Sequence, residues 1–140
     1  MNSPSCVKAQ RKDITLPSPD ASFPLGSATV TILGPLKEYE DQNNMFIVLR
    51  VVYGETSFLF AGDIKWEAEH DLINAEYDLK STVLKVAHHG SETSTSYVFL
   101  QEVMPQYAVI SVGEGNAYGH LDEAVLSRLR EYGGGSVQDG

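Results

Sequence analysis

Polar side chains with the chemistry of metal ligands stand at three points where a predicted strand ends. Asp63 follows the apolar run that ends at Phe60. The adjacent pair His88-His89 follows a second apolar run, and His120 comes after the loop that follows a third. Functional groups often collect at the carboxyl ends of the strands in an α/β sheet. The spacing therefore indicates a common site at one edge of a sheet.

A carboxylate with neutral imidazoles suits Zn²⁺, Mn²⁺ or iron, and a catalytic zinc ion needs three protein ligands and an open position for water. Asp63, one of the two adjacent histidines and His120 would supply such a set. Each residue taken singly has a structural alternative, as a cap, a turn residue or a surface side chain, whereas their joint occurrence favours a metal site. Gly90 and the hydroxyl of Ser91 lie beside the histidine pair, where they suit the approach of a phosphate oxygen.

Other polar residues give weaker signals. Asn116 and Tyr118 lie in the glycine-rich loop before His120, where each could orient substrate or support His120, with an ordinary turn role as the alternative. That loop lacks the Gly-Lys-Ser/Thr ending of a phosphate-binding loop. Glu67 and His70 have the spacing of a di-iron helix pair, but the sequence offers no second helix of this kind, so a solvated helix face is the better interpretation.

The elements that must position these residues alternate strands and helices after an initial meander, which predicts an α/β or layered α+β fold. The predicted strands are 28–33, 45–53, 57–60, 82–87 and 107–112. The strand at 45–53 is nearly all apolar, so we expect it to be buried on both faces. The predicted helices are 65–75, with Glu69 among the charges on its polar face, a helix capped by Thr93 or Ser94 and ending near 103, and 121–132.

The chain is predicted to divide into a polar arm or linker, residues 1–24, and a domain, residues 25–140. Four prolines restrict the arm, which shows no sustained hydrophobic period. Residues 133–140 are expected to end the domain without a further strand. The core is expected to contain the aromatic side chains of the apolar stripes, namely Phe46, Phe58, Phe60, Trp66, Phe99 and Tyr107.

Composition and charge exclude several classes of protein. With 140 residues and 42% hydrophobic content, the sequence is that of one ordinary globular domain rather than a disordered or collagen-like chain. A net charge of −9 repels phosphate backbones and argues against a bare nucleic-acid binder. The single cysteine, Cys6, cannot form an internal disulfide. No apolar run reaches the ~18 residues of a membrane span, and no apolar segment of a signal peptide is present.

The run from Asn44 to Tyr132 resembles the carboxyl-terminal half of the metallo-β-lactamase-fold hydrolase domain of the ComEC family of competence-channel proteins. The matching pieces are Phe58-Leu59-Phe60-Ala61-Gly62-Asp63, Glu69, Val83-Leu84-Lys85-Val86-Ala87-His88-His89-Gly90-Ser91, Thr93-Ser94-Thr95-Ser96, Pro105, Ala108-Val109-Ile110-Ser111-Val112-Gly113, Asn116 and Tyr118-Gly119-His120. The resemblance implies half of a four-layered αββα sandwich, with a mixed sheet and flanking helices.

The resemblance also implies a divalent-metal hydrolase that acts on phosphodiesters such as DNA, with Zn²⁺ or Mn²⁺ as cofactor and a role in DNA uptake for full-length relatives. Asp63 would be a catalytic carboxylate that can bridge two metals. His88 or His89 would be a metal ligand or a proton donor to the leaving group, and His120 a further ligand or a substrate contact. Substrate contacts are expected from Ser91, Asn116 and Tyr118. A small phosphate ester or thioester is an alternative substrate, because a fold does not fix its substrate.

The family's principal metal motif, His-x-His-x-Asp-His, is absent, because the chain has only four histidines. We therefore expect an incomplete metal site with little or no activity from this chain alone, and an inactive remnant or assembly module is the alternative. Half a sandwich leaves one sheet face uncovered, so we expect self-association or a second chain that supplies the missing half. The cytoplasm is the default location, and an origin in a competence-channel protein would place the domain outside the membrane.

Overall fold

The computed structural model describes residues 18–87, 91–111, 123–133 and 137–139. Within these residues, seven strands form one sheet in sequence order. The strands are β1 (Ser22–Leu25), β2 (Ala28–Gly34), β3 (Val48–Tyr53), β4 (Thr56–Phe60), β5 (Val83–Lys85), β6 (Tyr107–Ile110) and β7 (Val137–Asp139). The helices are α1 (Trp66–Asn74), α2 (Tyr97–Val103) and α3 (Glu123–Gly133), with a short 3-10 helix at Gln42–Met45.

The sheet is mixed, and its direction changes at β4. Strands β1 to β4 pair antiparallel, whereas β4, β5, β6 and β7 pair parallel. Each parallel pair is joined through a helix, α1, α2 or α3 in turn, because parallel neighbours need a long crossover. The carboxyl ends of β4, β5 and β6 consequently meet at one edge of the sheet. A mixed sheet with flanking helices confirms the predicted fold class.

One face of the sheet, called here the covered face, packs against the three helices. Leu59, Leu84 and Ala108 lie side by side in register on β4, β5 and β6 and are buried. They belong to a single apolar core that also includes the helix residues Ala68, Leu72, Phe99, Leu100, Val103, Val125 and Leu129. Burial of this face against the helices is the main stabilising contribution to the fold.

The opposite face, called here the open face, is apolar and lies outside that core. Because side chains alternate along a strand, it carries the residues between those of the covered face. In register across β3 to β6 these are Leu49, Val51, Phe58, Phe60, Val83, Lys85, Tyr107 and Val109. Phe60 and Tyr107 remain 42% and 51% exposed. The prediction that 45–53 forms a strand buried on both faces is therefore wrong, since the described helices pack against one face.

The expectation for the aromatic residues fails for the same reason. Phe99 is buried in the core as predicted, and Phe58 is half-buried. Phe60 and Tyr107 are exposed on the open face, and Phe46 and Trp66 are also exposed, at 45% and 47%. An apolar strand pattern indicates which side chains share a face, but it does not indicate whether a second element covers that face.

The predicted boundaries change at three places. Residues 45–47 were expected in a strand, but the capped 3-10 helix delays β3 to Val48. Residues 22–24 were expected in the arm, but they belong to β1, an edge strand in which a proline is tolerated. The tail was expected to lack a further strand, but β7 pairs with β6. Most of the predicted arm, residues 1–17, lies outside the described residues.

Candidate functional site

Asp63 occupies a tight turn directly after β4, at the edge where β4, β5 and β6 end. The Ile64 N–H donates to the Ala61 carbonyl at 3.3 Å and closes the turn. Gly62 has a φ of +58°, and a Cβ at this position would lie 2.8 Å from the Phe46 Cβ. Both features require glycine. The sequence Gly62-Asp63 therefore holds a partly buried carboxylate at a defined place on the edge.

A second contact secures the backbone that follows Asp63. Asn44, which is 2% exposed, accepts the Lys65 N–H through its Oδ1 at 2.7 Å. The Lys65 ammonium in turn lies 2.7 Å from the Asp41 carboxylate. Asn44 thus joins the 3-10 helix to the start of α1. Sequence analysis placed Asn44 only in a polar loop before an apolar run, so it did not predict this contact.

The other predicted metal ligands follow strands that end at the same edge. Ala87, the residue before His88 and His89, follows β5, and Ser111 follows β6 on the way towards His120. His88, His89, Asn116, Tyr118 and His120 all lie outside the described residues. Their predicted roles as metal ligands, catalytic groups and substrate contacts therefore stay predictions.

Ser91 begins a described loop, residues 91–96, that leads from the histidine pair to α2. Its hydroxyl lies 3.1 Å from the Thr93 hydroxyl. The cap of α2 is Ser96, which accepts the Phe99 N–H at 3.2 Å, rather than the predicted Thr93 or Ser94. Ser94 instead donates its hydroxyl to the Ile64 carbonyl at 2.6 Å. The loop is therefore hydrogen-bonded to the backbone next to Asp63.

Glu69 is buried beneath this loop, contrary to the expectation that it lies on a solvated helix face. Its side chain is 0% exposed, and its oxygens accept the N–H groups of Thr95 and Ser96. Burial raises the pKa of Glu69, while the hydrogen bonds from Ser96 and Thr95 and the charge of Arg128 act in the opposite direction. Helical periodicity could not reveal this position, because the N–H groups that require an acceptor come from a distant part of the chain.

One cation of the open face lies in the electrostatic field of Asp63. Lys85 ends β5, and burial lowers its pKa while the negative charge of Asp63 opposes that change. The Lys85 Nζ is 3.4 Å from the Val86 carbonyl oxygen. The edge therefore combines a carboxylate and an ammonium group within the same small region.

The donor chemistry at this edge fits a divalent cation in part. The Asp63 carboxylate is a hard oxygen ligand of the kind that Mn²⁺ and Zn²⁺ accept. Residues 18–87, 91–111 and 123–132 contain no group of three His, Cys, Asp or Glu side chains that could hold a metal ion. The predicted ligand set draws its imidazoles from outside those ranges. Over the same part of the chain, no helix has the length and apolar character needed to cross a membrane.

Comparison with solved structures assigns the fold class. The metallo-β-lactamase fold protein YhfI from Bacillus subtilis matches this chain with a TM-score of 0.54 and 10% sequence identity. The match covers 88% of this chain and 50% of that protein. At this identity the likeness concerns the fold alone. The chain has the metallo-β-lactamase fold over part of that fold's extent, which confirms the fold resemblance drawn from its motifs.

Sequence comparison finds partial homology to competence proteins. The chain is 47% identical over 95 residues to competence protein ComA of Neisseria gonorrhoeae, and 38% identical over 91 residues to ComE operon protein 3 of Bacillus subtilis (strain 168). These matches cover 66% and 65% of this chain but 14% and 12% of the relatives. No protein-family model matches. The chain is homologous to a small part of the ComA/ComEC competence proteins, as the resemblance implied.

Proposed function

We propose that this chain contributes part of the active site of a divalent-metal-dependent hydrolase that cleaves phosphodiesters, with DNA as the substrate class. The observation that carries the proposal is the parallel order of β4, β5 and β6. It brings the Asp63 turn and the segments that lead to His88 and towards His120 to one edge, in a chain homologous to competence proteins.

In this proposal, Asp63, His120 and one of the adjacent histidines hold the cation, either Zn²⁺ or Mn²⁺. The cation supplies Lewis-acid polarisation of the phosphoryl group and lowers the pKa of a water molecule. His88 or His89 donates a proton to the departing oxygen. Ser91 contacts a phosphate oxygen, and Asn116 and Tyr118 orient the substrate.

The test is hydrolysis of bis(p-nitrophenyl) phosphate in the presence of Mn²⁺. We expect slow, metal-dependent hydrolysis by the wild-type chain, lost in Asp63→Asn, which keeps the shape of the side chain and removes its charge. Asp78→Asn is the matched control, because Asp78 is exposed and pairs with Arg50 away from the edge. Equal rates in wild type and Asp63→Asn would overturn the proposal.

A second candidate is an assembly module that keeps the fold without catalysis. The net charge of −9 favours it, since such a chain repels a DNA backbone. Binding of Mn²⁺ to the wild-type chain without any hydrolysis of the phosphodiester would favour this candidate over the hydrolase.

We also propose that the open face is covered by a second β-sheet from a different polypeptide segment, with an apolar inner surface and a carboxylate opposite Lys85. The match covers only 50% of YhfI, so the remaining half of that fold corresponds in size to the proposed covering sheet and its flanking elements. A second copy fits less well, because each copy would bring a charge of −9 and its own Lys85 to the contact.

Sedimentation velocity over a range of concentrations, with binding of the dye ANS, tests the covering sheet. We expect a monomer that binds ANS, and less ANS binding by Val109→Lys, which places a charge on the open face. A discrete dimer that Phe60→Lys dissociates would identify a second copy as the occupant and overturn the proposed partner.

A further inference from the structure

A buried carboxylate beneath the loop at residues 91–96 has no part in the proposed chemistry. Glu69 lies on α1 and is 0% exposed, and its Oε1 accepts the Ser96 N–H at 2.9 Å. Its Oε2 accepts the Thr95 N–H. Thr95 has a φ of +59°, a left-handed conformation that is unfavourable for a β-branched residue. The surrounding contacts must therefore hold this part of the loop in place.

A guanidinium group holds the same loop by its carbonyl groups. Arg128 of α3 donates from Nε to the Thr95 carbonyl at 3.0 Å, and from Nη2 to the carbonyls of Ser94 at 3.0 Å and Glu92 at 3.1 Å. Its Cζ also lies 5.8 Å from the ring centre of Trp66 at the start of α1. One loop thus has its N–H groups bound by an anion and its carbonyls bound by a cation.

The loop is joined in turn to the backbone that follows Asp63. The Ser94 hydroxyl donates to the Ile64 carbonyl at 2.6 Å, and the Trp66 N–H donates to the Thr93 carbonyl at 3.1 Å. These two bonds fix the loop against the turn and the first residue of α1.

We propose that Glu69 and Arg128 are positioning residues that fix, relative to one another, the three segments that follow the candidate metal-ligand positions. The Ile64 backbone follows Asp63, the 91–96 loop follows the histidine pair, and α3 begins shortly after His120. The positioning role rests on the proposed metal site, whereas the hydrogen bonds that hold the loop do not depend on metal binding.

The energetic cost of this arrangement supports a role beyond stability. Burial of a carboxylate and of part of a guanidinium group carries a desolvation penalty, and an apolar replacement of similar volume is often as stable or more stable. The raised pKa of Glu69 reflects the same penalty. A network that fixes a geometry explains why charged groups occupy this position, since their hydrogen bonds are directional.

Hydrogen exchange of individual backbone amides tests the structural content. Glu69→Gln keeps the size of the side chain and puts an amide group where a carboxylate bound two N–H groups. Arg128→Lys keeps the charge and loses the planar fork that reaches several carbonyls. We expect about tenfold or faster exchange at Thr95 and Ser96 in both variants, with unchanged exchange in β3 and β4.

The matched controls are Glu67→Gln and Arg130→Lys, which change exposed residues on the same helices. They should leave exchange at Thr95 and Ser96 at the wild-type rate. Wild-type exchange in Arg128→Lys, the milder variant, would overturn the proposal even if Glu69→Gln fails to fold.

Mn²⁺ binding measured by calorimetry on the same variants separates positioning from simple stability. We expect about tenfold weaker affinity in Arg128→Lys at a temperature where its circular dichroism matches wild type. Unchanged affinity with a loosened loop would overturn the positioning role. A wild-type chain that binds no Mn²⁺ would contradict the proposed function. In that case the amide-exchange rates alone would show whether Glu69 and Arg128 hold the loop in place.

Discussion

The covered and open faces of the sheet have similar strand sequences but different surroundings. Leu59 and Phe60 are neighbours on β4, yet Leu59 is 0% exposed in the core and Phe60 is 42% exposed. The difference comes from the helices, which pack against the Leu59 side. An apolar strand residue therefore contributes most to stability where a second element removes it from water, and the open face is apolar for a reason outside the described fold.

The largest expected effect comes from truncation of neighbouring residues on the two faces. Leu59→Ala should lower the free energy of unfolding by about 3 to 5 kcal/mol, because it leaves a cavity in a packed core. Phe60→Ala should lower it by less than about 1 kcal/mol, because the ring already contacts water. Urea unfolding followed by circular dichroism measures both. Equal losses would break the comparison and show that the open face is covered within this chain.

A smaller effect is expected at the edge where the two faces meet. Gly62→Ala should cost about 2 to 3 kcal/mol, because the new Cβ adds a close contact with Phe46 to a left-handed backbone. Gly54→Ala is the control, since Gly54 has the same φ of +58° with nothing within 4 Å. It should cost about 1 kcal/mol. Urea unfolding of both variants separates the effect of the Phe46 contact from that of the backbone strain. Equal losses of unfolding free energy would contradict a tightly packed Asp63 turn.

The smallest expected effect concerns Glu69, which is buried beneath the loop at residues 91–96, and it depends on pH. Burial raises the pKa of Glu69 above its ordinary value of 4.5. The folded chain therefore holds this proton at a pH where the unfolded chain has lost it. The contribution of Glu69 to stability is complete below the unfolded pKa and declines as the pH rises through the folded pKa.

The measurement is urea unfolding of wild type and Glu69→Gln across this range. The stability advantage of wild type, about 1 to 2 kcal/mol at low pH, should shrink as the pH rises above the unfolded pKa. Glu67→Gln, which changes an exposed side chain on the same helix, is the matched control. An advantage that grows with pH would mean that the N–H groups and Arg128 outweigh burial.

Local patterns predicted much of the fold because each depends on neighbouring residues. A short window of sequence is enough to recognise the alternation in β2, the helical period of α1 and the adjacent residues Gly62 and Asp63. The resemblance of the Gly-Asp and His-His motifs to competence proteins then gave the fold class, which the comparisons confirm.

Long-range contacts account for what the sequence did not predict. Phe58-Leu59-Phe60 is uniformly apolar, so nothing in it distinguishes Leu59, on the covered face, from Phe58 and Phe60, on the open face. Glu69 has the spacing of a solvated residue, and its burial follows from N–H groups 26 and 27 positions away. Arg128 suits the end of a helix on electrostatic grounds, but its carbonyl partners lie more than 30 positions away.

The proposed function requires that the edge after β4, β5 and β6 binds a divalent cation through Asp63. Calorimetric titration with Mn²⁺ and Zn²⁺, on wild type, Asp63→Ala and the control Asp78→Ala, tests it most directly. We expect binding to wild type and to the control, and at least about tenfold weaker binding to Asp63→Ala. Equal binding by all three chains, or no binding by wild type, would contradict it.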